Sequence, residues 1–316
     1  MNPDFFFEIK QLTELAFMSR KIIYLLNPIS GTRKKFRVKE LIIRKTREAG
    51  IDFDILPSSA EGQYENLLQR IRKEAITDVV ICGGDGTVNA VVNALRMEPV
   101  QFGIIPMGSG NGLALAAKIP KQTSPALDLI FSGKARSTDA FYINEKFSCM
   151  LCGIGFDAAV AHEFAKLKTR GLQTYIRIST KEFFKSKPYP FEIKMKDRVF
   201  KTEAFFISVA NGNQFGNNFT IAPSASLSDG LLDIVIVKKM NKFSLPFSVL
   251  HHVAGNNLPL PISDFGNKKN IIYLQADKIT IGNPALAPLH IDGDPAETSP
   301  EFIVRIVPNC FRLIQH

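Results

Sequence analysis

Residues 78–95 run Asp-Val-Val-Ile-Cys, then Gly83-Gly84-Asp85-Gly86-Thr87, then Val-Asn-Ala-Val-Val-Asn-Ala-Leu. Val79, Val80 and Ile81 make a short β-branched run, while Val88, Val91, Val92 and Leu95 recur on one face of a helix. The glycines therefore sit at a strand-to-helix turn. Without Cβ atoms they let backbone N–H groups approach an anion, and the helix N-terminus adds unpaired donors and partial positive charge. Asp85 breaks that pattern. A carboxylate among phosphate-binding amides is repelled unless a divalent cation bridges it or it receives the proton of an attacking hydroxyl, and both options point to phosphoryl transfer. The alternative is a glycine-rich turn with a solvated Asp.

The surrounding texture alternates strand and helix. Strands are predicted at 21–26, 53–56, 79–82 and 102–105, with a helix over 36–49 closed by Gly50 and another marked by Leu67, Leu68, Ile71 and Ala75. Ser124-Pro125 reads as an N-cap followed by proline, opening a helix that ends at Gly133. Such alternation predicts a parallel sheet covered on both faces. After about Thr138 short alternating runs at 191–196, 199–202, 205–210 and 231–237 predict an antiparallel sandwich. Helical stretches around Asp157–Leu167 and Ser244–Ala254 interrupt it, and the closing run Phe302–Val307 is assignable to either half. The expected division is an extension over 1–17, an α/β domain over 18–138 and a β-rich domain over 139–316, with the last strand free to return to the first domain. Met18 stands immediately before the first strand as an alternative start.

Lys and Arg number 39 against 30 Asp and Glu, a net charge of +9, which favours an anionic partner without choosing among nucleotide, nucleic acid and acidic membrane. Much of the excess lies between Arg33 and Arg47 and between Lys166 and Lys187, as lipid-facing patches or ordinary solvated faces. Cys82, Cys149, Cys152 and Cys310 are too few and irregular for a secreted disulfide scaffold, so a reducing cytoplasm is expected. Cys149-x-x-Cys152 reads as core thiols rather than a metal or redox pair. No H-E-x-x-H, Walker A or complete G-x-G-x-x-G motif occurs, and the histidines lack ligand spacing. The first residues lack the charge and apolar run of a secretory signal, although Phe5, Ile9, Leu12 and Ala16 could form a lipid-touching stripe. The longest uncharged segment, Phe243–Ser263, carries prolines and asparagines that exclude it as a membrane span.

Three further loops follow strands: Asn27-Pro-Ile-Ser30-Gly31-Thr32, Pro57-Ser58-Ser59-Ala-Glu-Gly62 and Pro106-Met-Gly108-Ser109-Gly110-Asn111. In open α/β sheets ligands bind where such loops gather, at the carboxyl ends of the strands. Together with Gly83–Thr87 these residues resemble the diacylglycerol kinase catalytic-domain family, which includes bacterial lipid kinases and the sphingosine and ceramide kinases. The likeness extends through Gly153-Ile-Gly155-Phe-Asp157, Asn211-Gly212, Ala222-Pro223, Ser228-Asp229-Gly230-Leu-Leu-Asp233 and Asp292-Gly293-Asp294-Pro295.

The resemblance implies an α/β domain with a parallel sheet, of the NAD kinase and diacylglycerol kinase type, plus a β-rich sandwich domain. It implies an ATP- and Mg²⁺-dependent enzyme that transfers the γ-phosphoryl group to the hydroxyl of a diacylglycerol-like or sphingoid lipid. On it, Asn27, Ser30, Gly31, Thr32, Ser58, Gly83, Gly84, Gly86, Thr87, Gly108, Ser109 and Asn111 line the nucleotide site. Asp85 holds Mg²⁺ or acts on the hydroxyl, Asp139 belongs to the metal network, Asp229 binds a structural Mg²⁺, and Asp294 is the candidate general base. Three positions depart from the family pattern: Ala90 stands where bacterial members usually carry Glu, Gly112 replaces an Asp, and Asp294 replaces a Glu. Partners follow: a lipid at the inner membrane surface, no nucleic acid, no transmembrane segment, with a homodimer left open. Two other readings remain, an NAD kinase sharing the Gly-Gly-Asp-Gly-Thr turn and a nucleotide-binding membrane regulator without catalysis.

Overall fold

The computed structural model describes residues 20–28, 32–59, 62–167, 172–216, 219–220, 222, 224–238 and 270–316. The extension over 1–17, Met18, Ser30, Gly31, Pro223 and the helix expected at Ser244–Ala254 lie outside the described residues.

The first half contains β1 (Lys21–Leu26), α1 (Thr32–Glu48), β2 (Asp52–Pro57), α2 (Glu65–Lys73), β3 (Asp78–Gly83), α3 (Asp85–Leu95), β4 (Gln101–Pro106), α4 (Gly112–Ala116) and α5 (Thr123–Ser132). The four strands pair in parallel in the order β2-β1-β3-β4. All six residues of β3 are buried, which explains its unbroken apolar run: helices cover both faces of such a sheet. α3 turns Val88, Val91, Val92 and Leu95 inward, the stripe its spacing predicts. Gly50, at φ +66, ends α1 as expected of a residue in the left-handed region. The capping assignment at Ser124 is corrected. α5 begins at Thr123 with Gln122 as its N-cap and no side-chain capping bond, so Pro125 occupies the first turn, where a missing N–H costs nothing.

The second half contains β5 (Lys134–Ile143), β6 (Lys146–Ser148), β7 (Leu151–Gly155), α6 (Phe156–Ala165), α7 (Leu172–Lys185), β8 (Tyr189–Met195), β9 (Arg198–Ala204), β10 (Phe206–Ala210), β11 (Gln214–Gly216), β12 (Phe219–Thr220), β13 (Leu232–Val237), β14 (Ile271–Ala276), β15 (Lys278–Gly282), β16 (Leu289–Ile291), β17 (Asp294–Ala296) and β18 (Glu301–Gln315). One antiparallel sheet runs β14-β13-β10-β7-β16-β17. Its inner face packs Ile154, Ile207 and Ile234 with Phe141, Phe191, Ile281, Phe302 and Val304 of the opposing strands, giving the alternating burial of a sandwich.

β18 is shared. It pairs in parallel with β4 through Leu313 and Phe102, and antiparallel with β5 and β15. Its register shifts between Val307 and Phe311, where Asn309 adopts φ +51, so a bulge re-aims the strand between the two halves. The helix α7 has no counterpart in the sequence reading; it packs Phe183 against Phe156 and Phe205, with ring centroids 5.5 and 6.0 Å apart. All four cysteines are free, and Cys82, Cys149 and Cys152 are buried.

Candidate active site

The turns after β1, β3 and β4 interlock. The backbone of Met107 donates to Gly83 O at 2.9 Å, and Asn27 Nδ2 donates to Thr87 Oγ1 at 2.7 Å. A Cβ on Gly108 would lie 2.5 Å from Gly84 Cα, and one on Gly84 would lie 2.9 Å from Gly108 Cα. The two turns therefore touch backbone to backbone, a separation that only glycine at both positions permits. Asn111, at φ +52, braces its own loop: its Oδ1 accepts from Gly108 N at 2.8 Å and its Nδ2 donates to Gly108 O at 2.7 Å. Ser58 is buried and its N–H extends the β1 ladder to Leu26 O, whereas Ser109 is exposed at the tip of its turn. Thr32 opens α1.

Asp85 is the first residue of α3, and its carboxylate turns toward the start of α4, where Leu113 N donates to Oδ1 at 3.3 Å. Burial pushes this carboxyl above the usual carboxylate range, against the pull of the Gly112, Leu113 and Asn111 amides. The backbone donors thus offset part of the cost of burying this carboxyl without cancelling it. Where the family has an Asp, Gly112 faces Met150: a Cβ there would lie 2.2 Å from Met150 Cε and 2.5 Å from its Sδ. Met150 fills the space that a carboxylate would occupy.

The second half brings an acidic hairpin to this point. β16 and β17 pair Ile291 with Asp294, leaving Asp292 (φ +50) and Gly293 (φ +87) as a two-residue turn, the conformation an Asp-Gly pair favours. Asp294 lies over α3: a Cβ on Gly86 would come within 2.9 Å of Asp294 Oδ2. Between α3 and the hairpin is a cavity of about 400 Å³ whose lining includes Gly86, Ala90, Lys146, Asp292, Asp294 and Glu297.

Asp292 was read only as part of a motif, yet its carboxyl is strongly perturbed. Oδ1 accepts from Ser148 Oγ at 2.8 Å and Leu151 N at 3.0 Å, while Oδ2 is buried without a hydrogen-bond partner. Burial pushes it up to about 7, the charge of Asp85 adding to that shift and the Leu151 and Ser148 donors opposing it. The Asp-x-Asp spacing was the signal available. Asn89 was also missed; it donates to Phe147 O at 3.1 Å and accepts from Cys149 N at 3.1 Å, tying α3 to the β6–β7 connection.

Asp139 and Asp229 stand elsewhere. Asp139 is buried, and its two oxygens accept from Asn309 N at 2.7 Å and Gly230 N at 2.8 Å, so it secures the β18 bulge and the loop before β13. Asp229 is exposed and accepts from Leu231 N at 3.1 Å. Among the described residues, no group of three or more His, Cys, Asp or Glu side chains is arranged to hold a metal ion. An ion carried by nucleotide phosphates needs only one or two carboxylates, and Asp85 with the unpartnered Asp292 Oδ2 suits that lesser demand.

Comparison with known proteins agrees with this architecture. Residues 21–143 match the diacylglycerol kinase catalytic domain, and residues 151–315 match the YegS C-terminal NAD kinase beta sandwich-like domain. A diacylglycerol kinase of Bacillus subtilis is 27% identical over 87% of this chain and 89% of its own length. A probable YegS-like lipid kinase of Shewanella frigidimarina is 28% identical over 92% of this chain and 95% of its own. A crystal structure of a putative diacylglycerol kinase from Bacillus anthracis shares the fold, with a TM-score of 0.73 at 20% identity, covering 94% of this chain and 97% of that one. With both halves matched in order and the glycine turns of the first facing the acidic hairpin of the second, the chain belongs to the diacylglycerol kinase catalytic-domain family of lipid kinases.

Proposed function

We propose that this protein transfers the γ-phosphoryl group of ATP to the hydroxyl of a diacylglycerol-like or sphingoid lipid at the inner membrane surface. The observation that carries the reading is the approach of Asp294 to Gly86, where an added Cβ would lie 2.9 Å from Asp294 Oδ2, which sets a carboxylate against the first turn of the phosphate-binding helix. Asn27, Ser30, Gly31, Thr32, Ser58, Gly83, Gly84, Gly86, Thr87, Gly108, Ser109 and Asn111 are proposed to hold the triphosphate with backbone donors and hydroxyls. The lipid hydroxyl enters beside Ala90, and Asp294 takes its proton, so that the alkoxide forms only as phosphorus is attacked. Asp85 would hold a Mg²⁺ brought by the nucleotide, which when bound would supply charge neutralisation on the transferring group. Asp139 supports that network from its place at the β18 bulge, and Asp229 is proposed to hold a separate structural Mg²⁺. No helix among the described residues is long and apolar enough to cross a membrane.

The test is transfer of label from γ-labelled ATP to a total lipid extract, with NAD as a parallel acceptor. A labelled phospholipid is expected. Asp85→Asn and Asp294→Asn are each expected to lower kcat by about 10² or more, the range of a lost acid–base or charge-stabilising group, without altering circular dichroism. Full activity of both variants, or labelling of NAD alone, overturns the reading.

A further inference from the structure

Beneath the acidic hairpin lies a buried pair that the reaction as described does not use. His290, in β16, is 1% exposed, and Asp157, in the first turn of α6, is 7% exposed. His290 Nε2 meets Asp157 Oδ2 at 3.4 Å, and His290 Nδ1 accepts from Gly293 N at 3.3 Å. Because Nδ1 accepts, the ring proton sits on Nε2 and is donated to Asp157. Room for the pair exists only because β7 places Gly153 beneath it. A Cβ at that position would lie 2.0 Å from Asp157 Oδ2 and 2.4 Å from His290 Nε2.

We propose that Asp157 and His290 form a positioning pair that fixes the Asp292–Gly293 turn, and through it the placement of Asp294 over Gly86. The physical need is local. β17 is three residues long and lies at the edge of its sheet, so few ladder bonds hold the hairpin in place. Asp292 N donates to Leu151 O at 2.9 Å and its side chain grips Ser148 and Leu151, anchoring one residue of the turn. The imidazole anchors the other through the Gly293 N–H. Asp157 acts one step further back: as a carboxylate it can only accept, so it keeps the ring in the tautomer whose Nδ1 is free to accept from Gly293. A displacement near 1 Å of a catalytic group costs on the order of a hundredfold in rate, which is the scale at which such an anchor matters.

The pair acts in the proposed phosphoryl transfer, so its test needs one readout that does not depend on activity. In His290→Asn the amide oxygen takes the place of Nδ1; in His290→Gln the amide takes the place of Nε2 and nothing accepts from Gly293. Hydrogen exchange of the Gly293 amide is expected to stay slow in His290→Asn and to quicken at least tenfold in His290→Gln. In lipid phosphorylation, kcat is expected to fall about 10- to 100-fold in His290→Gln with KM for ATP unchanged, and within a few-fold in His290→Asn. Asp157→Asn, nearly isosteric, allows the opposite tautomer and is expected to behave like His290→Gln at unchanged melting temperature. Were both His290 variants to lose protection and activity together, in step with lost stability, or were Asp157→Asn silent in both assays, the pair would be a packing element only. An inactive wild type whose exchange pattern still follows this order would refute the lipid kinase reading while leaving the anchor standing.

Discussion

At the scale of single residues, the site is governed by where negative charge is tolerated. Burial raises the Asp85 carboxyl against the pull of backbone donors, whereas Asp292 has one satisfied oxygen and one buried and unpartnered. The Asp292 carboxyl rises from 3.8 to about 7 on folding, so the folded chain retains a proton that the unfolded chain releases. Its contribution to stability is therefore full below about pH 4 and is lost as pH rises through about 7. Asp292→Asn cannot ionise. In denaturant unfolding without metal, it is expected to gain on the wild type by on the order of 2–4 kcal/mol between pH 4.5 and pH 8. A difference that stays constant with pH would rule out burial of this charge. Neither the perturbation nor the His290–Asp157 pair was legible in the sequence, because both arise from strands and helices more than a hundred residues apart.

At the scale of elements, two glycine turns and one hairpin make the site. The turn Gly83–Thr87 was legible because its signal is local: a β-branched run, glycines and a helical stripe lie within eighteen residues. Its contact with the turn at Gly108 was not. Gly108→Ala would drive a Cβ to 2.5 Å from the Gly84 backbone, which cannot move aside as a flexible side chain could. The variant is expected to lose about 1–3 kcal/mol of stability and at least tenfold in nucleotide affinity by calorimetric titration. Gly50→Ala is the control. Its φ of +66 makes alanine strained but its surroundings are open, so stability should fall by about 1 kcal/mol with nucleotide affinity unchanged. The helix α7 escaped the sequence reading because its pattern is interrupted by charge; Phe183 becomes core only against Phe156 and Phe205.

At the scale of the whole molecule, β18 decides the character of the fold. Its C-terminal half completes the α/β sheet at Leu313, and its N-terminal half closes the sandwich at Phe302 and Val304. Two halves that share a central strand cannot unfold independently without leaving its backbone groups unpaired. Calorimetry of the wild type is expected to show one transition. Leu313→Ala, at a fully buried site, should cost roughly 2–5 kcal/mol and lower that single transition as a unit. Separation into two transitions, with only the lower one moved, would show that the bulge at Asn309 uncouples the halves.

The sequence alone determined the class of each half and the phosphate turn, because strand and helix periodicity and glycine clusters are local and each residue carries its share of the signal. Long-range pairing decided the rest. The partner of β18, the donors around Asp85, Met150 opposite Gly112 and the support under the Asp292–Gly293 turn all depend on which distant segments meet. Such contacts are set by the free energy of closing and packing the whole chain, which no window of sequence contains.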